Sequence, residues 1–325
     1  LFIGDSLVEG EGASTRANRW IDALLTSLRS TKGIAGSGLG LTPASEYGTY
    51  LSVSSGWKNP ASGSGRSGQS WMMSQGFKGT IVASGGYVQW TVSGDSADLV
   101  FAMATAGYGN LVVAVDGVTV KTIVGTSGYT PGSIDHFSLG TAGSHTVRVT
   151  ASGGDIFVDG IVVYNGDYTA GLTYWDCAHT SFTASDFAEN TDYQQGWTRF
   201  LPHLVITDLV GANEYLSDGE SPTVVASRLT TMIATLKALA SKPTIYLMVP
   251  MHSPGISTGP NGSGYTFAQY CTAAMNAATA AGASVLDLRA IYPSPTSAWF
   301  DADALHPNNT GHAQIASAWT SALTT

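Results

Sequence analysis

A serine hydroxyl attacks an ester carbonyl only when a base takes its proton, and the base works best when a third group orients it. The chain carries residues of those types at suggestive spacings. Ser6 stands in LFIGDSLVEGEG, directly after an apolar run. Of seven histidines, His306 has the most distinctive setting, FDADALHPNNTGH. Asp303, three residues before it, can reach the imidazole Nδ1–H across one tight turn and leave Nε2 free as base. Asp301 is a rival orienter at longer separation. Acyl transfer also needs donors aimed at the developing oxyanion. Asn213, in LVITDLVGANEYL, offers a side-chain amide at the end of a second apolar run, beside a glycine that permits close backbone approach.

These residues must be brought together by the elements around them. LFIGDS followed by NRWIDALLTSLRS reads as strand, turn and helix, with Trp20, Ile21, Leu24, Leu25 and Leu28 on one helical face. Residues 33–70 are rich in Gly and Ser and read as a long loop. From 71 to 165, short alternating runs broken by Gly, Asp and Ser suggest an all-β sandwich or jelly roll. There the second Gly-Asp-Ser, ending at Ser96, reads as a hairpin turn, and Asp95, Asp98 and Asp116 as turn residues. From 167 onward strands alternate with helices: PHLVITDLVG, TVVASRLTTMIATLKALA, PTIYLMVPM, FAQYCTAAMNAATAAG, ASVLDL and TGHAQIASAWTSAL. That alternation implies a parallel sheet covered on both faces. The expected architecture is a three-layer α/β/α core from residues 1–70 and 166–325, with an all-β sandwich inserted at 71–165. In such a core a serine at the carboxyl tip of the first strand faces the ligand crevice.

Taken in order, the blocks resemble the SGNH (GDSL) hydrolase superfamily. Gly4-Asp5-Ser6 matches its first block, Gly211-Ala212-Asn213 its third, with Glu214 in place of the usual Asp, and Asp303-Ala304-Leu305-His306-Pro307 its fifth. The second block departs. In CAHTSFTASDF, Ser181 stands where the family carries a glycine whose N–H lines the oxyanion hole, with Ala178 as a rival. Ser keeps the N–H but fits poorly if the turn needs positive φ. The resemblance implies a serine esterase in which Ser6 is nucleophile, His306 base and Asp303 its orienter. The N–H groups of Ser6 and Ser181 and the Asn213 amide would hold the oxyanion. Asp5, His179 and His252 are expected at the substrate, with no cofactor and no metal.

Composition narrows the setting. Charged residues make up 11% and hydrophobic residues 43%, with 39 glycines. That gives a neutral, loop-rich surface, more usual in secreted, cell-surface or virion proteins. A net charge of -9 argues against nucleic acid or anionic membranes as partners, and no apolar run approaches the ~18 residues of a membrane span. Cys177 and Cys271 form either one disulfide or two buried thiols. The chain begins inside an apolar run, as a processed or excised fragment would.

Three rival readings remain. Gly255-Ile256-Ser257-Thr258-Gly259 has the Gly-x-Ser-x-Gly form of another hydrolase fold, but a loop follows it where that fold needs a helix. Alternatively the β region binds carbohydrate through Trp90, Tyr108 or Tyr129 beside a decayed hydrolase, or the chain is the esterase domain of a larger surface or phage-tail protein acting on lipid esters. The expected substrate is an ester of a short acyl group, carried on a glycan, because no long apolar lid segment is visible.

Overall fold

The computed structural model describes residues 1–32, 39–44, 46–47, 57–58, 62–67, 79–103, 108–126, 128, 130–217 and 219–324. Four strands, Phe2–Ile3, Leu204–Thr207, Thr244–Val249 and Ser284–Asp287, pair in that order and all run parallel. On the other side of Phe2 the segment after Tyr174 runs parallel as well. Phe2 N–H donates to the Trp175 carbonyl at 2.9 Å, Cys177 N–H to Phe2 at 2.8 Å and His179 N–H to Gly4 at 2.8 Å. The first strand is therefore interior, and the chain moves to one side of it and then to the other. The resulting switch in strand order opens a crevice beyond the carboxyl ends of the first strand and its neighbours.

Alternation along these strands buries both faces. Phe2, Ile206 and Met248 join Trp20, Ile21, Leu24, Ile315 and Trp319 in one core cluster. Ile3, Val205, Leu247 and Val249 join Phe187, Trp197, Leu229, Ile233 and Ala274 in the other. Helices Trp20–Lys32 and Asn309–Thr324 cover the first face. Helices Thr191–Phe200, Pro222–Ala238 and Phe267–Ala280 cover the second. Two of them start on strong local signals. Ser221 caps Val224 N–H with Pro222 at the first helical position, and Thr266 and Gln269 form a capping box. This is the three-layer α/β/α core expected from the sequence.

Most of the described strands between helix Trp20–Lys32 and Tyr174 build a second sheet. Its strands run in the order Leu39–Pro43, Ile156–Tyr164, Thr80–Met103, Thr130–Ser152, Asn110–Val115, Val118–Ile123, and Ser62–Ser67 also pairs with Thr80–Met103. Phe157 faces both Ile81 and Ala102. The long strand thus curls until its two ends flank the same neighbour, around a core that includes Val88, Trp90, Leu99, Phe101 and Val147. Val100, Val162 and Tyr164 leave that core and pack with Trp175 and Phe200 in the α/β cluster, so the two sheets share buried surface.

Three expectations change here. Leu39–Pro43 and Ser62–Ser67 are strands of this sheet, within the stretch read as a Gly/Ser loop; residues 71–78 and Tyr129 lie outside the described residues. Gly94-Asp95-Ser96 is no hairpin turn but a register shift inside the continuous strand Thr80–Met103. A Cβ on Gly94 would stand 2.2 Å from the Tyr164 carbonyl, so the glycine serves close backbone approach and Asp95 accepts from Gly166 N–H at 2.7 Å. Asp98 is a buried strand residue that accepts from Tyr164 OH at 2.6 Å and meets His136 Nδ1 at 2.8 Å. Trp90 is a core residue, and the Tyr108 hydroxyl is bonded to the Phe157 backbone.

Candidate active site

The strand Phe2–Ile3 is so short that Ser6 emerges at once at its tip, opening the turn Ser6–Glu9. Asp5 caps this turn, its Oδ1 accepting Leu7 N–H at 2.9 Å. Asp5 N–H donates in turn to Asp208 Oδ1 at 3.2 Å, at the end of the adjacent strand. Both carboxyls are buried. Burial, then the charge of Asp5, pushes Asp208 well above the usual carboxylate range.

His306 reaches the same place from the other end of the chain. Its Nε2 lies 2.8 Å from Ser6 Oγ and its Nδ1 2.6 Å from Asp303 Oδ2. Asp303 Oδ1 accepts the backbone N–H groups of Leu305, at 2.9 Å, and His306, at 3.0 Å. Ala304 is forced to φ 56° between them. Asp301 is tied to the same turn only through its backbone, its N–H donating to the His306 carbonyl at 2.8 Å. Burial works to raise the Asp303 carboxyl, yet the His306 and Leu305 bonds outweigh it and hold it low.

The two ends of the chain are fastened where they meet. Ser14 N–H donates to Asn309 Oδ1 at 2.8 Å, and Asn309 Nδ2 returns a bond to Ser14 Oγ at 2.7 Å. His312 Nε2 lies 3.0 Å from the Glu11 carbonyl. Gly12, at φ 88°, lets Pro307 approach so closely that a Cβ there would lie 2.2 Å from its carbonyl oxygen.

The donors expected at the oxyanion lie on two elements. Asn213 follows Gly211 at the start of the turn Ala212–Leu216, and its Nδ2 donates one hydrogen to the Phe182 carbonyl at 2.7 Å. The amide has a second hydrogen to offer. In the stretch 178–182, Ala178 N–H is taken by Asp176 Oδ1, His179 N–H by Gly4, Thr180 N–H by Glu9 Oε2 and Phe182 N–H by His179. Of these five N–H groups only that of Ser181 has no partner among the described residues. Ser181 also sits at φ 67°, the left-handed conformation that favours glycine. Glu214, in the place of the family's Asp, is buried and accepts Ala184 N–H at 2.7 Å. Burial raises it to about 7.

A small cavity of about 20 Å³ touches Ser6, Asn213 and His306, with Leu216, Ile256 and Leu305 among its walls. Asp5 also lines it. His179 is buried behind the Ser181 turn, with Nδ1 at 2.5 Å from the Thr180 carbonyl and its ring 4.0 Å from that of Phe182. His252 is half-buried and its neighbours Met251 and Ser253, not His252, line the cavity. Ser257 is exposed in a loop and accepts Gly259 N–H at 3.1 Å, so the rival Gly-x-Ser-x-Gly makes no elbow. Cys177 and Cys271 are buried free thiols.

Sequence reasoning overlooked Glu11. Its carboxylate is buried, with Oε2 3.0 Å from His306 Nε2. Burial lowers the affinity of His306 for a proton, but Glu11 and then Asp303 more than reverse this and raise it to about 9. The one available signal was an acid between two glycines, Gly10-Glu11-Gly12, just after the nucleophile block. Asp208 was also overlooked, being hidden inside an apolar strand run.

The GDSL-like Lipase/Acylhydrolase family model matches residues 159–314. Among solved structures the chain is similar to one described as a peptidoglycan O-acetylesterase in action, at 14% identity and TM-score 0.72, covering 99% of this chain and 89% of that one. A family two carbohydrate esterase from Clostridium thermocellum, in complex with cellohexaose, shares 14% identity over 75% of this chain and 94% of that one, at TM-score 0.38. A salicylyl-acyltransferase from a tetracycline biosynthetic pathway shares 15% over 74% and 83%, also at TM-score 0.38. No curated protein matches the sequence. Residues 159–314, which span the Asn213 and His306 blocks, are thus a GDSL-like lipase/acylhydrolase domain, and the chain is a carboxylic ester hydrolase whose fold is matched along almost its whole length.

Proposed function

We propose that the protein removes short acyl groups, acetyl foremost, from O-acylated glycans by a serine acyl-enzyme mechanism. The observation that carries this reading is the contact of Ser6 Oγ with His306 Nε2 at 2.8 Å, with Asp303 behind the imidazole at 2.6 Å. Neutral His306 takes the Ser6 proton as Oγ attacks the carbonyl carbon. The imidazolium so formed is held by Asp303, and the oxyanion is held by Ser181 N–H, the second Asn213 amide hydrogen and the Ser6 N–H, which no intrahelical carbonyl can reach. Collapse expels the alcohol, which takes the proton from Nε2. Water, deprotonated by the same nitrogen, then releases the acid.

Two features support the short acyl group and the glycan. The cavity of about 20 Å³ beside Ser6 is little larger than the roughly 10–15 Å³ that holds one water on this measure. The structural relative matched along 99% of this chain is named for O-acetyl groups on peptidoglycan. A secreted, cell-surface or virion-surface setting fits a chain with only 11% charged residues.

The test is hydrolysis of a p-nitrophenyl ester series from acetate to decanoate, alongside an O-acetylated polysaccharide. Wild type should favour acetate and release acetate from the polymer. Ser6→Ala and His306→Ala should each lose about 10³-fold or more in kcat while keeping the fold. Equal turnover by all three proteins would defeat the mechanism, and a preference for decanoate would defeat the substrate class.

A further inference from the structure

His306 faces a carboxylate on each ring nitrogen. Asp303 Oδ2 is 2.6 Å from Nδ1 and Glu11 Oε2 is 3.0 Å from Nε2. A carboxylate oxygen only accepts, so both contacts are attractive together only when both nitrogens carry hydrogen, which is the imidazolium. In the neutral imidazole Nε2 presents a lone pair, repelled by Glu11, and that lone pair is what Ser6 needs. Ser6 and Glu11 thus compete for one nitrogen, with opposite demands on its proton.

We propose that Glu11 is a positioning residue that holds His306 as a resting imidazolium and thereby sets the pH at which this esterase switches on. The inference rests on the esterase reading above but concerns a residue outside its Ser6, His306 and Asp303 set. Below the switch, the proton sits on Nε2 between Glu11 and Ser6 Oγ, and the serine has no base. Above it, that proton has left for solvent and the Ser6 hydroxyl donates to Nε2. On attack the imidazolium forms again beside the same carboxylate, which then lowers the barrier. One group therefore delays activity and strengthens it once begun.

Among the other charged groups facing His306, Asp303 also favours the imidazolium, but from Nδ1 and not from the nitrogen that Ser6 needs, and it orients the ring. Asp5, beneath Ser6, is coupled to Asp208 and bonded to Leu7 N–H. His312 meets the Glu11 carbonyl and Arg19 packs against Gly10. Positive charge on either would oppose a proton on His306, and burial holds His312 near 4 and neutral. Burial of Glu11, at 4% exposure, keeps solvent from screening its contact.

The experiment is the pH profile of kcat/KM on p-nitrophenyl acetate for wild type, Glu11→Gln and Glu11→Asp. Parallel NMR titrations of the His306 ring are run in the Ser6→Ala and Ser6→Ala/Glu11→Gln backgrounds. In wild type the activating limb should lie at least one pH unit above the ordinary histidine value of about 6.5. Glu11→Gln should move it down by one unit or more, raising kcat/KM tenfold or more at the foot of the wild-type limb and lowering the alkaline plateau, mainly through kcat. Glu11→Asp, which keeps the charge, should hold the limb nearer its wild-type place. The ring titration should show the same displacement without turnover. A wild-type limb near 6.5, or a limb and a ring titration unmoved by Glu11→Gln, would overturn the proposal. The first of these needs no variant to fold. If wild type hydrolyses no ester at any pH, the esterase reading fails, and the ring titrations still decide what Glu11 does to His306.

Discussion

At the scale of single residues, the site divides into groups that react and groups that hold them. In the proposed mechanism Asn213 acts on the oxyanion through the amide hydrogen that the Phe182 carbonyl does not take. Replacing it by Ala should cost about 10²–10³ in kcat with little change in KM, the usual signature of a lost oxyanion donor; a KM effect alone would place Asn213 in ground-state binding. Ser6, His306 and Asp303, which the structure brings into contact, and Asn213, which lines the same cavity, could be singled out in the sequence because their spacing restrictions are local, within the short blocks GDS, DALHP and GAN. Ser181 was legible only in part. The missing glycine suggested strain, and φ 67° shows the serine bearing it. Glu11 and Asp208 were not legible, since each meets a partner far away in the sequence and belongs to no local block that would mark it.

At the scale of elements, the chemistry depends on loops that approach closely enough to exclude a side chain. Two glycines at similar positive φ separate backbone strain from crowding. A Cβ on Gly85, at φ 81°, would meet nothing within 4 Å, whereas one on Gly12, at φ 88°, would meet the Pro307 carbonyl at 2.2 Å. Gly85→Ala should destabilise by about 1–2 kcal/mol, the backbone cost alone. Gly12→Ala should cost more in denaturant melts, and should lower kcat/KM as well, because Pro307 follows His306 directly. Equal losses in the two variants would show that the loop approach carries no weight. The parallel core could be read from periodicity because its strands alternate with helices that carry regular apolar faces. The β unit was read less well. Its two longest strands bend through register shifts at glycines, and in sequence a glycine inside a strand looks like a turn between two.

At the scale of the molecule, buried titrating groups fix how stability depends on pH. Burial holds His312 near 4, below its unfolded value of 6.5, so the native state refuses a proton that the unfolded chain accepts. Its contribution is lost as pH falls from 6.5 toward 4, by on the order of 3 kcal/mol. Glu214, raised to about 7 from 4.5, acts the other way, and stability declines as pH climbs between those values. His306, raised to about 9, favours the folded state below 6.5, and that gain disappears as pH rises through 9. The two opposing slopes give a plateau between about pH 4.5 and 6.5, with losses on either side. His312→Gln removes one of them, so urea melts of that variant should show stability falling with rising pH across the plateau; an unchanged flat profile would contradict the assignment. The protein should then be most stable at a pH where His306 is still protonated and turnover is slow.

The central claim is that one serine, at the tip of the first strand, is made nucleophilic by a histidine from the far end of the chain. Intact and peptide mass spectrometry after exposure to a serine-directed fluorophosphonate, at alkaline pH, tests it most directly. A single adduct on the peptide containing Ser6, absent in Ser6→Ala and slowed in His306→Ala, is the expected result. No adduct, or one carried instead by Ser96 or Ser257, would contradict the claim.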